Sequence, residues 1–139
     1  MAFKLFRQIL PAVSSNGGRR VLIYGAGDAG ELLLRELRNN RELQLAPIGF
    51  LDDDPAKSGK VIHGLRVFGG NGDLSTVCAQ HEVQEVVISS LKMTDERVQE
   101  VLRICSEKQI VVKRMRITME ELSSGDHWFY SRKAAQSQG

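Results

Sequence analysis

Hydrophobic positions along this chain follow two alternating rhythms: short continuous apolar runs, and stretches in which apolar residues recur every three or four positions. The run Arg20–Tyr24 suits a strand buried on both faces. From Asp28 to Arg38, Ala29, Leu33 and Leu37 share one helical stripe, with Gly30 and Leu34 beside it. Glu31 and Arg35 stand four apart on the opposite side, the spacing of a helical ion pair. Asn39-Asn40 is a plausible stop. Ala46–Leu51 reads as a second buried strand, with Pro47 near its start, where a missing N–H is tolerated. Leu65–Phe68 is a short third strand between Gly64 and Gly69-Gly70. Asp73–His81 is a helix with Leu74, Val77, Cys78 and His81 on one face, and Glu85–Ser90 is a fourth strand. Thr94 caps a further helix, whose acids Asp95 and Glu96 favour its positive end. That helix presents Val98, Val101, Leu102 and Cys105 at helical spacing, and Ile110–Met115 is a fifth strand. Strands alternating with helices predict βαβ units and a parallel sheet. Right-handed crossovers then give an α/β, doubly wound, mainly parallel five-stranded sheet in the order 3-2-1-4-5.

Outside this body, residues 19–122, the pattern changes. Residues 1–18 form a basic amphipathic leader: Phe3, Phe6, Ile9 and Leu10 lie on one helical face, Pro11 stops it, and Ser14 to Gly18 reads as a linker. Residues 123–139 form a tail in which Trp128-Phe129-Tyr130 is too apolar to stay bare. It is expected to cover a groove in its own or a second chain, which makes a homodimer an expectation.

Composition narrows the classes. The 139 residues are 42% hydrophobic and 26% charged, ordinary for one globular domain. No apolar run approaches the roughly 20 residues of a membrane helix. Cys78 and Cys105 form no C-x-x-C, so neither a zinc site nor a redox motif is suggested, and a reduced, cytoplasmic setting is the simple expectation. The net charge of +2 is unevenly placed. Residues 1–20 carry four basic residues and no acid, residues 21–110 ten basic and fourteen acidic, and residues 111–139 five basic and three acidic. An acidic body argues against nucleic acid as the main partner, which would select a basic stripe.

The chemistry sits at the first strand–helix junction. Gly25-Ala26-Gly27-Asp28-Ala29-Gly30 is G-x-G-x-x-G, weak alone. Here it follows a buried strand, opens a helix and precedes an acid, Asp52, 22 residues past Gly30 and near the expected spacing of about 20. Gly25 allows the turn, Gly27 lets a phosphate approach the backbone, and Gly30 lets the helix pack close to the sheet. The exposed N–H groups and helix dipole attract phosphate. Asp28 suits the helix dipole but would oppose a phosphate beside it. The bland alternative is a tight turn with no ligand.

In Asp52-Asp53-Asp54, Asp52 or Asp53 can accept hydrogen bonds from a ribose or a base edge and would repel a 2′-phosphate, which favours NAD over NADP. The remaining acids belong to an Asp-Pro turn, and no calcium-loop spacing follows them. Ser89 and Ser90 end the fourth strand beside the expected crevice; they either bond a ligand or begin the loop to Thr94. His81 reads as a packed or edge histidine, and His63 has no evident partner. No catalytic constellation is visible.

The stretches RRVLIYGAGDAGELLLREL, PIGFLDDDPAKSGKVIHGLRVFGG and EVQEVVISS resemble the CoA-binding-like Rossmann domain of bacterial polysaccharide-biosynthesis proteins, over about residues 19–122. The resemblance implies a domain that follows membrane helices and precedes a short-chain-dehydrogenase domain acting as a nucleotide-sugar dehydratase or epimerase, or one appended to a sugar-phosphate transferase. FKLFRQIL would then be the cytoplasmic exit of a membrane helix, and the chain a soluble piece at the cytoplasmic face of the inner membrane. The segment from Met115 to Leu122 fits a terminal position, favouring the transferase-appended parent. Tyr130 and Lys133 are spaced one residue short of the short-chain-dehydrogenase pair and follow the body rather than lie in its helix, so the spacing reads as chance. The first half is also similar to nucleotide-sugar acyltransferases with a left-handed β-helix, which hold UDP at this place. Together these imply a UDP-sugar or NAD as ligand, with coenzyme A behind both, in a regulatory or substrate-sensing module. A fragment of an NAD-linked sugar-modifying enzyme and a dimerisation module with a lapsed site are the alternatives.

Overall fold

The computed structural model describes residues 18–124. Leader residues 1–17 and the Trp128-Phe129-Tyr130 cluster lie outside the described residues. In chain order the elements are β1 (Arg19–Tyr24), α1 (Asp28–Asn39), β2 (Leu45–Leu51), the short strands β3 (Val61–Ile62) and β4 (Leu65–Arg66), α2 (Leu74–Gln80), β5 (Glu85–Ile88), α3 (Asp95–Glu107) and β6 (Val111–Arg114). Single 3-10 turns occupy Arg41–Leu43, Pro55–Lys57 and Asn71–Asp73.

The fold is α/β and Rossmann-like, but among the described residues the sheet has four strands rather than the expected five. Its order is β2-β1-β5-β6, all parallel. The segment expected as a third sheet strand instead makes an antiparallel hairpin with β3. Its hydrogen-bonding capacity is divided. Val67 donates to Lys60 and accepts from Gly59, extending the hairpin, while only a Val67–Phe50 bridge and the Phe68 N–H to Phe50 carbonyl bond (2.8 Å) reach β2. Asp52 then bonds to Gly69 (2.7 Å), whose φ of +139° bends the chain away. The hairpin turn His63-Gly64 has φ of +49° and +84°, the signature of a type I′ turn. Pro47 lies inside β2 rather than at its start. The β1–β2 register skips there, from Val21↔Pro47 to Leu22↔Gly49, so the missing N–H falls in a bulge.

Strand pleating sends alternate residues to two cores. Val21, Ile23, Phe50 and Val87 meet Leu33, Leu34 and Leu37 of α1 on one face. Leu22, Tyr24, Leu51, Val86 and Ile88 meet Leu74, Val77 and Cys78 of α2 and Val101 and Cys105 of α3 on the other. Each fully buried Leu, Ile or Val contributes about 1.5–3 kcal/mol, so burial on both faces dominates the sheet's stability. On α3 the buried stripe is rotated from the expected one: Leu102 is exposed, and Ile104 packs in its stead. Thr94 caps α3 as expected, its hydroxyl accepting from the Arg97 N–H at 3.2 Å. His81 stacks on Phe68, ring centres 4.5 Å apart. His63 does have a partner: its Nε2 lies 2.7 Å from Glu31, which pairs with it rather than with Arg35. Glu85, wholly buried at the start of β5, is neutralised by Lys113 at 3.1 Å and Arg19 at 3.5 Å. Among the described residues no helix is long and apolar enough to cross a membrane.

Cys78 and Cys105 are free and buried in the same core. The neighbouring Cys105 thiol, together with burial, pushes the Cys78 thiol up from its ordinary range and keeps it protonated. Because both side chains are shut off from solvent, neither cysteine should take up a thiol reagent in the native protein at neutral pH, and both should in denaturant. Mass spectrometry after brief alkylation checks this; rapid native labelling would contradict the buried pair.

Candidate functional site

The carboxyl ends of β1, β2 and β5 converge on one crevice of about 290 Å³. Its floor is Tyr24 and Gly25, its β2 wall is Asp52 and Asp53, and its far wall is Ser90, Lys92, Met93, Thr94 and Arg97. It lies at the bottom of the range of ligand pockets, roughly 300–1,000 Å³, so a dinucleotide would extend beyond it.

The three glycines of the turn do three different things. Gly25 has φ of +125°, and a Cβ there would strike the Ser89 hydroxyl. A Cβ on Gly30 would run into the Gly25 carbonyl, so α1 crosses the end of β1 at a distance only glycine permits. Gly27 is constrained by neither. Its φ is −87°, ordinary extended backbone, and the nearest atom to a Cβ there is Lys57 Nζ, at 3.7 Å. Gly27 also stands at the N-cap of α1 with no side-chain cap, and the first bond of the helix runs from the Glu31 N–H to the Gly27 carbonyl. The N–H groups of Asp28, Ala29 and Gly30 are therefore first-turn donors without an intrahelical partner. Gly27, Asp28, Ala29 and Gly30 are not among the crevice walls.

The three acids are hydrogen-bond hubs. Asp52 Oδ2 accepts from the Ala26 N–H at 2.7 Å, and Oδ1 from the Asp54 N–H at 2.9 Å. This places Asp52 against the glycine turn, as the sequence spacing expects. Asp53 accepts from the Tyr24 hydroxyl at 2.6 Å and the Asn71 N–H at 2.9 Å, and its other oxygen lies 3.4 Å from Arg97. Asp54 faces its own turn, accepting from the Ala56 N–H at 3.0 Å. Burial and the Asp53 carboxylate push the Tyr24 hydroxyl well above its ordinary range, so it serves as a donor and not as a base.

The two serines part company. Ser90 lines the crevice. Ser89 is fully buried and its hydroxyl donates toward the Gly25 carbonyl at 2.8 Å and the Tyr24 carbonyl at 3.1 Å, tying β5 to the turn. Sequence reasoning missed Tyr24, Lys57, Lys92 and Arg97. Tyr24 could have been found as the last residue before the first glycine. The cations carry no local signal, because the loop after Asp54 and the start of α3 reach the turn only through the fold.

The sequence profile of a family described as CoA-binding domain matches residues 1–115. The probable polysaccharide biosynthesis protein EpsC of Bacillus subtilis (strain 168) is 29% identical over 96 residues, covering 69% of this chain and 16% of that protein. The capsular polysaccharide biosynthesis protein CapD of Staphylococcus aureus is 24% identical over 109 residues, 78% of this chain and 18% of that protein. The chain thus spans under a fifth of the length of these relatives. Among solved structures, UDP-D-quinovosamine 4-dehydrogenase from Vibrio fischeri is similar with a TM-score of 0.61 and 22% identity, over 83% of this chain and 86% of that one. RSP, a Rex-family repressor in complex with NADH, has a TM-score of 0.58 and 10% identity, over 98% and 69%.

Two outcomes follow from the turn. Gly30→Ala should lower stability by roughly 2 kcal/mol or more through the clash with Gly25, while Gly27→Ala should stay within about 0.5 kcal/mol of wild type; denaturant unfolding compares them. Tyr24→Phe should cost about 1.5–3 kcal/mol, the range for a hydrogen bond to a charged group. A folded-state pKa raised above the unfolded value of about 10 means the Tyr24 contribution is whole below pH 10 and fades above it. The stability gap between wild type and Tyr24→Phe should therefore be flat from pH 7 to 9 and narrow above 10.

Proposed function

Because the chain belongs to the CoA-binding domain family, we propose that its crevice and glycine turn bind a nucleotide diphosphate, with a UDP-sugar or NAD ahead of NADP and coenzyme A. Gly27 carries this reading. Neither its backbone conformation nor any neighbouring protein atom requires glycine, so the missing side chain leaves room for something outside the chain. Phosphate fits that room, because first-turn N–H groups and the helix dipole point at it and no side chain caps them. Asp52 and Asp53 then face the ribose or base end of the ligand. Both are acceptors, and both disfavour the additional ribose phosphate that NADP and coenzyme A carry.

The domain acts as a regulatory or substrate-sensing part of a membrane-associated polysaccharide enzyme. The two polysaccharide biosynthesis relatives support that setting, and the small share of them that the chain covers leaves room for the chemistry elsewhere. A UDP-sugar enzyme and an NADH complex among the structures of the same fold support the two preferred ligands. Tyr24, locked to Asp53 as a donor, offers no base for turnover.

Calorimetric titration with a UDP-sugar, NAD, NADP and coenzyme A should show binding in that preference. Gly27→Val should abolish it while keeping the fold, since φ at Gly27 is negative. The domain alone should show no dehydratase, epimerase or transferase turnover. No binding by any of the four at millimolar concentration, or equal binding by Gly27→Val, would turn the assignment to an interaction module.

A further inference from the structure

Lys57 ends the 3-10 turn that follows Asp54. Its backbone is fixed on both sides: its N–H donates to Asp54 at 3.0 Å, and its carbonyl accepts from Lys60 at 3.1 Å. The Asp54 side chain caps the same turn through the Ala56 N–H. From this rigid base the side chain crosses to the glycine turn. Its Nζ stands 3.9 Å from Asp52 Oδ2 and 3.7 Å from where a Cβ of Gly27 would be. At 3.9 Å the ammonium is too far from Asp52 for a hydrogen bond, and that oxygen already accepts from Ala26. The three donors of Lys57 thus border the gap that Gly27 leaves open. Two carboxylates, Asp28 in the first turn of α1 and Asp52 beside the turn, oppose an anion there.

We infer that Lys57 is the cation of the diphosphate site, exchanging its loose contact with Asp52 for a phosphate oxygen of the ligand. This rests on the diphosphate reading above and adds a charge to it. The backbone donors alone would have to hold a dianionic group against Asp28 and Asp52, and Lys57 offsets one of these charges. It also explains why the loop after β2 returns to the turn at all. The ligand class that follows is a nucleoside diphosphate or its ester, with an unphosphorylated nucleoside gaining nothing from Lys57.

The test is calorimetry on the 139-residue chain with UDP-glucose, NAD and uridine at two salt concentrations, for wild type, Lys57→Met, Lys57→Arg and the neighbouring Lys60→Met. Lys57→Met should weaken UDP-glucose or NAD about tenfold or more and flatten the salt dependence of what binding remains. Lys57→Arg should stay within about threefold of wild type, Lys60→Met should match it, and uridine should be indifferent to all three. Thermal unfolding of Lys57→Met should superimpose on wild type, because at 3.9 Å the pair makes no hydrogen bond and adds little stability. Wild-type binding matched by Lys57→Met at both salts would overturn this inference alone. No wild-type binding to either diphosphate would overturn it together with the reading beneath it.

Discussion

The closeness with which α1 crosses the end of β1 governs everything around the crevice. No side chain fits between Gly30 and the Gly25 carbonyl. That approach brings the start of the helix over the strand end and aims the Ala26 N–H at Asp52. It also encloses the Gly25 carbonyl, which would cost about 1–3 kcal/mol if left without a donor. Ser89 supplies that donor from β5. One backbone contact therefore ties three strand ends together.

Charge is organised around the same junction. Three consecutive aspartates would repel one another on an open surface, but each is attached to a different partner. Asp52 holds the glycine turn, Asp53 holds Tyr24 and the Asn71 turn, and Asp54 holds its own loop. The acids thus act first as joints between loops. Cations then approach from two directions, Lys57 from the loop after β2 and Lys92 and Arg97 from the approach to α3. An acidic body in this way gathers three cations at one point of its surface.

Much of this was legible in the sequence because it follows from local patterns. The apolar runs of β1, β2 and β5, the Thr94 cap and the close packing at Gly30 are written in neighbouring residues. So is the distance from Gly30 to Asp52, which one βαβ unit fixes. What was not legible depends on groups shared between distant segments. Val67 was read as a sheet residue, but its backbone is divided between Lys60 and β2. Leu102 and Ile104 are both compatible with an apolar stripe, and only the way α3 lies on the sheet decides between them. Ser89 and Ser90 look alike in sequence; just past the end of β5, one side chain is buried against the glycine turn and the other lines the crevice. Lys57 and Arg97 are ordinary surface charges until the fold folds their loops inward.

The chain leaves β2 at Asp52 and comes back beside it at Gly69, where a 2.7 Å hydrogen bond closes the excursion. Everything between, including the hairpin and Lys57, departs from and returns to one point of the sheet. Loop closure depends weakly on length, with each doubling adding only about 0.6 kcal/mol. The excursion can therefore be lengthened or shortened at little cost to the sheet. The loop that carries Lys57 can thus change in length without disturbing the glycine turn on which the three strand ends depend.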